Sequence, residues 1–314
     1  MGGSYIEACR EIGRRIITER IGEPRLLSRV KAEVCREYRL DRIPSNPDIL
    51  RYSDHREELV RLLRLKPVRS ISGIVILSVM TAPTPCPHGR CVYCPWMPGA
   101  PISYTGKEPA ARRGIQNNFD PALQIRHRLK QLEEMGHNTQ KIELIIQGGT
   151  FNATPPSYRE EYMRGVLEGI LGHPINNYEE GLREAEKSRY RLVGMALETR
   201  PDQVGEEEID WVLSKVFTRV ELGVQTIYDH IYERVKRGHR LREVIEATRR
   251  LKDAGLKVGY HLMPGLPGST PALDLQVIQR VFEDEDLRPD QLKIYPTLVL
   301  EGTELYEWWR EGIY

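Results

Sequence analysis

The chain is short of cysteine, of long apolar runs and of any surplus of charge, and each shortage excludes a class of protein. Five cysteines in 314 residues is an odd number, and no secretory segment opens the chain, so a disulfide framework fits poorly and a reducing cytoplasm fits better. The longest uncharged apolar run, Ile71 to Ala82, falls below the roughly 18 residues a membrane span requires. The start Met-Gly-Gly-Ser leads into charged residues rather than a signal sequence. No repeat or low-complexity tract occurs. Lys and Arg (46) almost cancel Asp and Glu (45), but they are unevenly spread. Residues 1–70 hold sixteen basic against eleven acidic side chains, and the remainder is slightly acidic.

What is present is patterned. An apolar content of 40 % supports a sizeable core. The first segment reads as helices over 7–20, 26–38 and 54–65, with Ile43-Pro44-Ser45-Asn46-Pro47 breaking the run. Its cations include Arg10, Arg14, Arg29, Lys31 and Arg36, and Arg112, Arg113 and Arg126 continue the basic character further on. Basic surface beside a second domain suggests a polyanionic substrate, although a solvated helical face would look the same. Beyond residue 70, β-rich runs at 73–81, 141–147, 192–198, 219–225, 257–263 and 291–296 alternate with amphipathic stretches at 121–135, 158–171, 206–215, 241–254 and 272–283. Such alternation predicts an α/β fold, a partial (βα)6 TIM-like barrel of parallel strands with an N-terminal basic helical segment. The expected division is 1–69 and 70–314.

Three of the five cysteines, Cys86, Cys91 and Cys94, fall within nine residues just after the first expected strand. Three thiolates can hold a cubane iron–sulfur cluster and leave one iron open to a small-molecule cofactor. A closed zinc site normally takes four Cys or His ligands, and His88 would serve only from inside a very tight loop. In barrels of parallel strands reactive groups gather at the carboxyl ends, and every expected strand here ends in polar or glycine residues. Gly148 and Gly149 permit positive φ and close backbone approach, or make an ordinary turn. Glu198 and Arg200 suit the two ends of a zwitterion, or each other. Gln225 suits a ribose or carboxylate, or a satisfied core position. Tyr93 offers a ring beside the cysteines, and His261 and Met263 suit a cofactor wall or plain packing. Lys293 and Tyr295 share one side of the last strand, where they suit a phosphate or carbonyl. Tyr104, Tyr158, Tyr162 and Trp96 are stacking candidates for unpaired bases, with packing the commoner role.

The cysteine triad, an aromatic residue before its last member and the glycine pair resemble the radical S-adenosylmethionine superfamily, with four rather than the commonest three residues between the first two cysteines. That gap, together with Tyr104-Thr-Gly-Lys-Glu-Pro109, Gly148-Gly-Thr-Phe151, Glu198-Thr-Arg-Pro-Asp202, Leu222-Gly-Val-Gln225, Arg237-Gly-His239 and Lys293-Ile-Tyr-Pro-Thr297, is similar to the Elongator catalytic-subunit branch in its archaeal and bacterial forms.

The resemblance implies an enzyme that installs a carboxymethyl group on carbon 5 of the wobble uridine of tRNA. It would bind the anticodon stem-loop, use acetyl-CoA as carbon source and draw on an external electron donor. A [4Fe-4S] cluster on Cys86, Cys91 and Cys94 would cleave S-adenosyl-L-methionine, and the resulting radical would activate the acetyl methyl group. Tyr93, Gly148, Gly149, Glu198, Arg200, Gln225, His261 and Met263 become cofactor contacts, with Lys141, Lys293 and Tyr295 as catalytic candidates. Lys141 matches a family lysine associated with acetyl-CoA. Members continue into an acetyltransferase-like domain, whereas this chain stops at Tyr314, so that part is expected in cis or in trans. The competing readings are a radical RNA methyl- or methylthio-transferase and a zinc-stabilised RNA-binding module.

Overall fold

In the computed structural model, residues 2–54 and 56–314 are described; Met1, at the head of the start segment, and His55, inside the helix expected over 54–65, lie outside the described residues. The chain divides into two compact units, residues 1–76 with 126–142, and residues 77–125 with 143–314. The boundary thus lies a few residues beyond the expected 69, and a later segment joins the first unit.

The first unit is built from α1 (Gly2–Thr18), α2 (Pro24–Glu37), α3 (Asn46–Tyr52) and α4 (Arg56–Leu63). Ile12, Val34, Ile49, Leu59 and Leu63 are among its buried residues. The Ser45-Asn46-Pro47 stretch starts α3 rather than only breaking a helix, because Ser45 accepts the Asp48 N–H at 3.2 Å and Pro47 stands in the first turn.

Six strands follow: β1 (Val75–Met80), β2 (Lys141–Gln147), β3 (Arg191–Thr199), β4 (Arg219–Gln225), β5 (Lys257–Leu262) and β6 (Gln291–Ile294). They hydrogen-bond in sequence order, and the sheet is the parallel half-barrel expected. Helices α5 (Pro109–Gln116) and α6 (Pro121–Glu134) precede β2, α7 (Pro156–Leu171) and α8 (Tyr178–Ala185) precede β3, and α9 (Glu206–Ser214) precedes β4. Next come α10 (Asp229–Arg234) and α11 (Leu241–Asp253) before β5, α12 (Pro271–Glu283) before β6, and α13 (Glu304–Arg310). β4 is buried along almost its whole length although it reads Arg-Val-Glu-Leu-Gly-Val-Gln, as a strand with both faces covered must be. Its two charged residues therefore need partners inside. Among the described residues no helix is long and apolar enough to cross a membrane.

Candidate active site at the carboxyl ends of the strands

Register brings the polar residues together. Glu198 on β3 is level with Glu221 on β4, and His261 on β5 with Lys293 on β6. Beyond this layer a cavity of about 400 Å³ opens, within the range of small-molecule sites. Its walls include Cys86, Tyr93, Cys94, Gly148, Gly149 and Gln225. Glu198, Arg200, His261, Met263 and Tyr295 line it as well. Every expected cofactor residue thus reaches one cavity.

The cysteines sit on the loop after β1, all free, Cys91 and Cys94 buried and Cys86 half-buried. The His88 ring lies between two of them, Nδ1 at 3.1 Å from Cys86 Sγ and Nε2 at 3.2 Å from Cys91 Sγ. Burial, with Arg200 and Arg237 nearby, lowers the His88 pKa to about 4, so the imidazole is neutral near pH 7. Cys94 meets the Ser103 hydroxyl at 3.5 Å, and Cys91 faces the Arg237 guanidinium at 3.7 Å.

Four ligands around one zinc would bring their sulfurs to about 3.8 Å from one another, given a Zn–S bond of about 2.3 Å. The triad, with or without His88, makes no such cluster: donor atoms within 4.8 Å of one another occur, among the described residues, only for Glu198, Glu221 and His261. A cubane, in which each thiolate binds a different iron, suits the wider setting and the facing cation. The residues fit an iron–sulfur cluster.

The rest of the wall is shaped for a ligand. Gly148 has φ +134 and Gly149 φ +96, and a Cβ on Gly148 would strike the Thr81 hydroxyl. Gln225 holds φ +72 without being glycine, at a break in the β4–β5 register. Such strain persists only where the surroundings impose it, and its buried Oε1 has no partner in the protein. The Tyr93 hydroxyl is likewise buried and unpaired. Glu198 accepts from Tyr104 at 2.8 Å and Gln147 at 3.1 Å. Arg200 is not paired with Glu198; it contacts Asp202 at 2.9 Å and donates to the Arg237 carbonyl at 2.8 Å. The pair expected to clasp a zwitterion is therefore two separately anchored groups on one wall.

Glu221, 1 % exposed, is the hub of the back wall. It accepts from Arg219 at 3.0 Å, from His261 at 3.0 Å and from Lys293. Burial alone would raise its pKa, but His261 and Lys293 outweigh it and hold the carboxyl down at about 2. Lys293 thus stands against a buried carboxylate, the kind of partner a part-buried lysine requires. Tyr295 lies against the His261 ring, centroids 5.6 Å apart. A divalent ion beside Glu198, Glu221 and His261 would compete with two fixed cations, so the acidic trio is better read as a salt-bridged wall.

Other expected residues separate. Lys141 opens β2 at its amino end and is exposed. Arg10, Arg36 and Arg112 are exposed. Arg14 and Arg29 are exposed but bound to Glu11 and Glu33. Lys31 is half-buried against Asn46 at 3.0 Å, and Arg113 donates to Ser78 at 2.8 Å; both are internal contacts rather than open surface cations. Arg126 is exposed on α6. Tyr162 is buried, its hydroxyl donating to Met80, and Tyr158 packs with it and Phe151, so both are packing residues. Trp96 is exposed beside Arg90. Sequence reading assigned no role to Glu221 and Arg237, although a charge in the middle of an otherwise apolar strand was a visible signal for the first.

The model of the radical SAM superfamily matches residues 81–275, and that of the ELP3 N-terminal domain residues 5–71. A Methanocaldococcus jannaschii tRNA uridine(34) acetyltransferase is 49 % identical over 296 residues, 92 % of this chain and 55 % of that protein. Elongator complex protein 3 of Drosophila melanogaster is 41 % identical over 92 % of this chain and 54 % of its own length. The solved Methanocaldococcus infernus Elp3 with an N-terminal deletion aligns with a TM-score of 0.66 at 42 % identity, covering 77 % of this chain and 50 % of that one. The chain spans about half the length of the curated relatives it matches.

Proposed function

The chain belongs to the radical S-adenosylmethionine superfamily, and we propose that it forms the RNA-binding and radical-generating part of an enzyme that adds an acetyl-CoA-derived carboxymethyl group to carbon 5 of the wobble uridine in tRNA. The observation that carries this is the single cavity into which the cysteine loop and the ends of β2 to β6 all converge. The names of the similar proteins support the substrate.

Cys86, Cys91 and Cys94 would hold the cluster. When bound there, it supplies the electron for reductive cleavage of the cofactor's sulfonium carbon–sulfur bond. Gly148 and Gly149 would let backbone carbonyls approach the cofactor's amino group, the partnerless Gln225 Oε1 would be free to accept a hydrogen bond, and Arg200, already held by Asp202, would lie on the cofactor's wall. Tyr93 covers the site from the loop side. The exposed cations of the first unit, Arg10 and Arg36 among them, would meet the anticodon stem-loop through its phosphates. Acetyl-CoA would be bound by an acetyltransferase part supplied in cis or in trans, and an external donor would reduce the cluster. Five free thiols suit a reducing, cytoplasmic setting.

The methylthio-transfer alternative usually needs a second cluster. Cys9 is wholly buried among helices and the Cys35 thiol meets the Leu40 carbonyl at 3.4 Å, which argues against one. The test is anaerobic reconstitution followed by reduction with dithionite in the presence of S-adenosylmethionine. Iron–sulfur absorbance with release of 5′-deoxyadenosine is expected, and a colourless zinc protein would sink the proposal. Adding tRNA, acetyl-CoA and the acetyltransferase part, then analysing the wobble nucleoside by mass spectrometry, tests the product. Unmodified uridine despite an intact cluster would refute it.

A further inference from the structure

Arg237 follows α10 and is 8 % exposed. Its Nη1 donates towards Cys91 Sγ at 3.7 Å, its Nη2 donates to the Gly223 carbonyl at 2.5 Å, and its Nε has no partner. Among the described residues no carboxylate makes an ion pair with it, whereas its neighbour Arg200 has Asp202. The backbone on both sides is committed to this placement. The Arg237 N–H donates to the Tyr232 carbonyl at 2.9 Å and its carbonyl accepts from Arg200. Across the gap, a Cβ on Gly223 would stand 2.5 Å from Nη2, so glycine at that point of β4 leaves the space the guanidinium occupies.

A buried cation without a counter-ion costs several kcal/mol, so the fold carries Arg237 only if negative charge is supplied next to it. Facing it are the Cys91 thiol and the Tyr93 and Tyr232 hydroxyls, and of these Cys91 is the one that becomes an anion as a cluster ligand. Taking Cys86, Cys91 and Cys94 as cluster ligands, the reading on which this inference rests, three thiolates make the cluster assembly anionic, and reduction makes it more so. A fixed cation beside one thiolate favours the reduced form over the oxidised one, and hydrogen bonds to ligand sulfurs act in the same direction.

We propose that Arg237 is a positioning residue that orients the Cys91 thiolate and raises the reduction potential of the cluster held there. A purely structural arginine would support folding and leave the potential alone. The distinction is accessible by potentiometric titration of the anaerobically reconstituted full chain, following the paramagnetic signal of the reduced cluster, for the wild type, Arg237→Met, Arg237→Lys and Gly223→Ala.

At a fixed potential Arg237→Met should hold about tenfold less reduced cluster relative to oxidised, a midpoint about 59 mV lower for a one-electron couple. Arg237→Lys should recover part of that shift. Gly223→Ala, which keeps the charge but pushes it away, should move the midpoint the same way by less. An unchanged midpoint in Arg237→Met at wild-type iron content overturns the inference. If that variant does not fold, unchanged midpoints in Arg237→Lys and Gly223→Ala overturn it. Wild-type protein that takes up no cluster refutes the ligand reading instead, so the two failures are distinguishable.

Discussion

The two compact units bury different things. In the first, the buried residues among those described are apolar apart from Ser70, His137 and Thr139, and charged pairs such as Arg14 with Glu11 and Arg29 with Glu33 lie at the surface, where they contribute little. In the second, Glu198, Arg200, Arg219, Glu221, Arg237 and His239 are all buried. Stability alone would favour apolar residues at those positions. Among the described residues, charge is buried in the second unit and left at the surface in the first.

The two units' cysteines give the sharpest contrast. Cys91→Ser should reduce iron uptake on reconstitution to background and abolish 5′-deoxyadenosine formation, whereas Cys9→Ser, in the helical core, should leave both intact. Loss of iron in Cys9→Ser would break the comparison. Next in size is Glu221→Ala, which leaves His261 and Lys293 facing an empty position and Arg219 with Glu143 alone; a loss of about 3–5 kcal/mol in chemical denaturation is expected, and a loss like that of an ordinary surface substitution would mean the network contributes little.

The same carboxyl has a pH signature. Its pKa is depressed from 4.5 to about 2 in the folded state, so its stabilisation is present above pH 4.5 and fades as pH falls towards 2. The stability gap between wild type and Glu221→Gln should narrow over that window, and a gap constant with pH would contradict the assignment.

Smaller again is Gly148→Ala, which places a β-carbon at φ +134 against Thr81. We expect about 1–3 kcal/mol of destabilisation together with weaker S-adenosylmethionine binding by calorimetry. The smallest effect on the fold belongs to Arg10→Ala with Arg36→Ala: a thermal midpoint close to wild type, but a log–log salt slope of tRNA binding shallower by about 0.7–0.9 for each phosphate left without its arginine. An unchanged slope would remove these two arginines from the RNA surface.

Local pattern carried much of this into view. The bounds of β2 and β4 match the expected runs residue for residue. Short helices did not show: α5, α8, α10 and α13 span six to eight residues, too few for a 3.6-residue period to repeat convincingly, and α13 is fixed by the Thr303 cap rather than by an apolar stripe. In the site, cysteines and glycines were legible because their chemistry is intrinsic to the residue. The partner of Lys293 was not legible because Glu221 lies 72 positions away and two strands over.

The sequence by itself determined which groups could bind metal, where the backbone could turn with positive φ, and that strands would alternate with helices, since these depend on side-chain type and near-neighbour spacing. Only the tertiary structure decided which charges on separate elements pair. Parallel register set Glu198 beside Glu221 and His261 beside Lys293, and the return of the chain after α10 brought Arg237 to Cys91, 146 residues earlier. Ion pairing falls off over a few ångströms, so its outcome follows distance in space and is invisible along the chain.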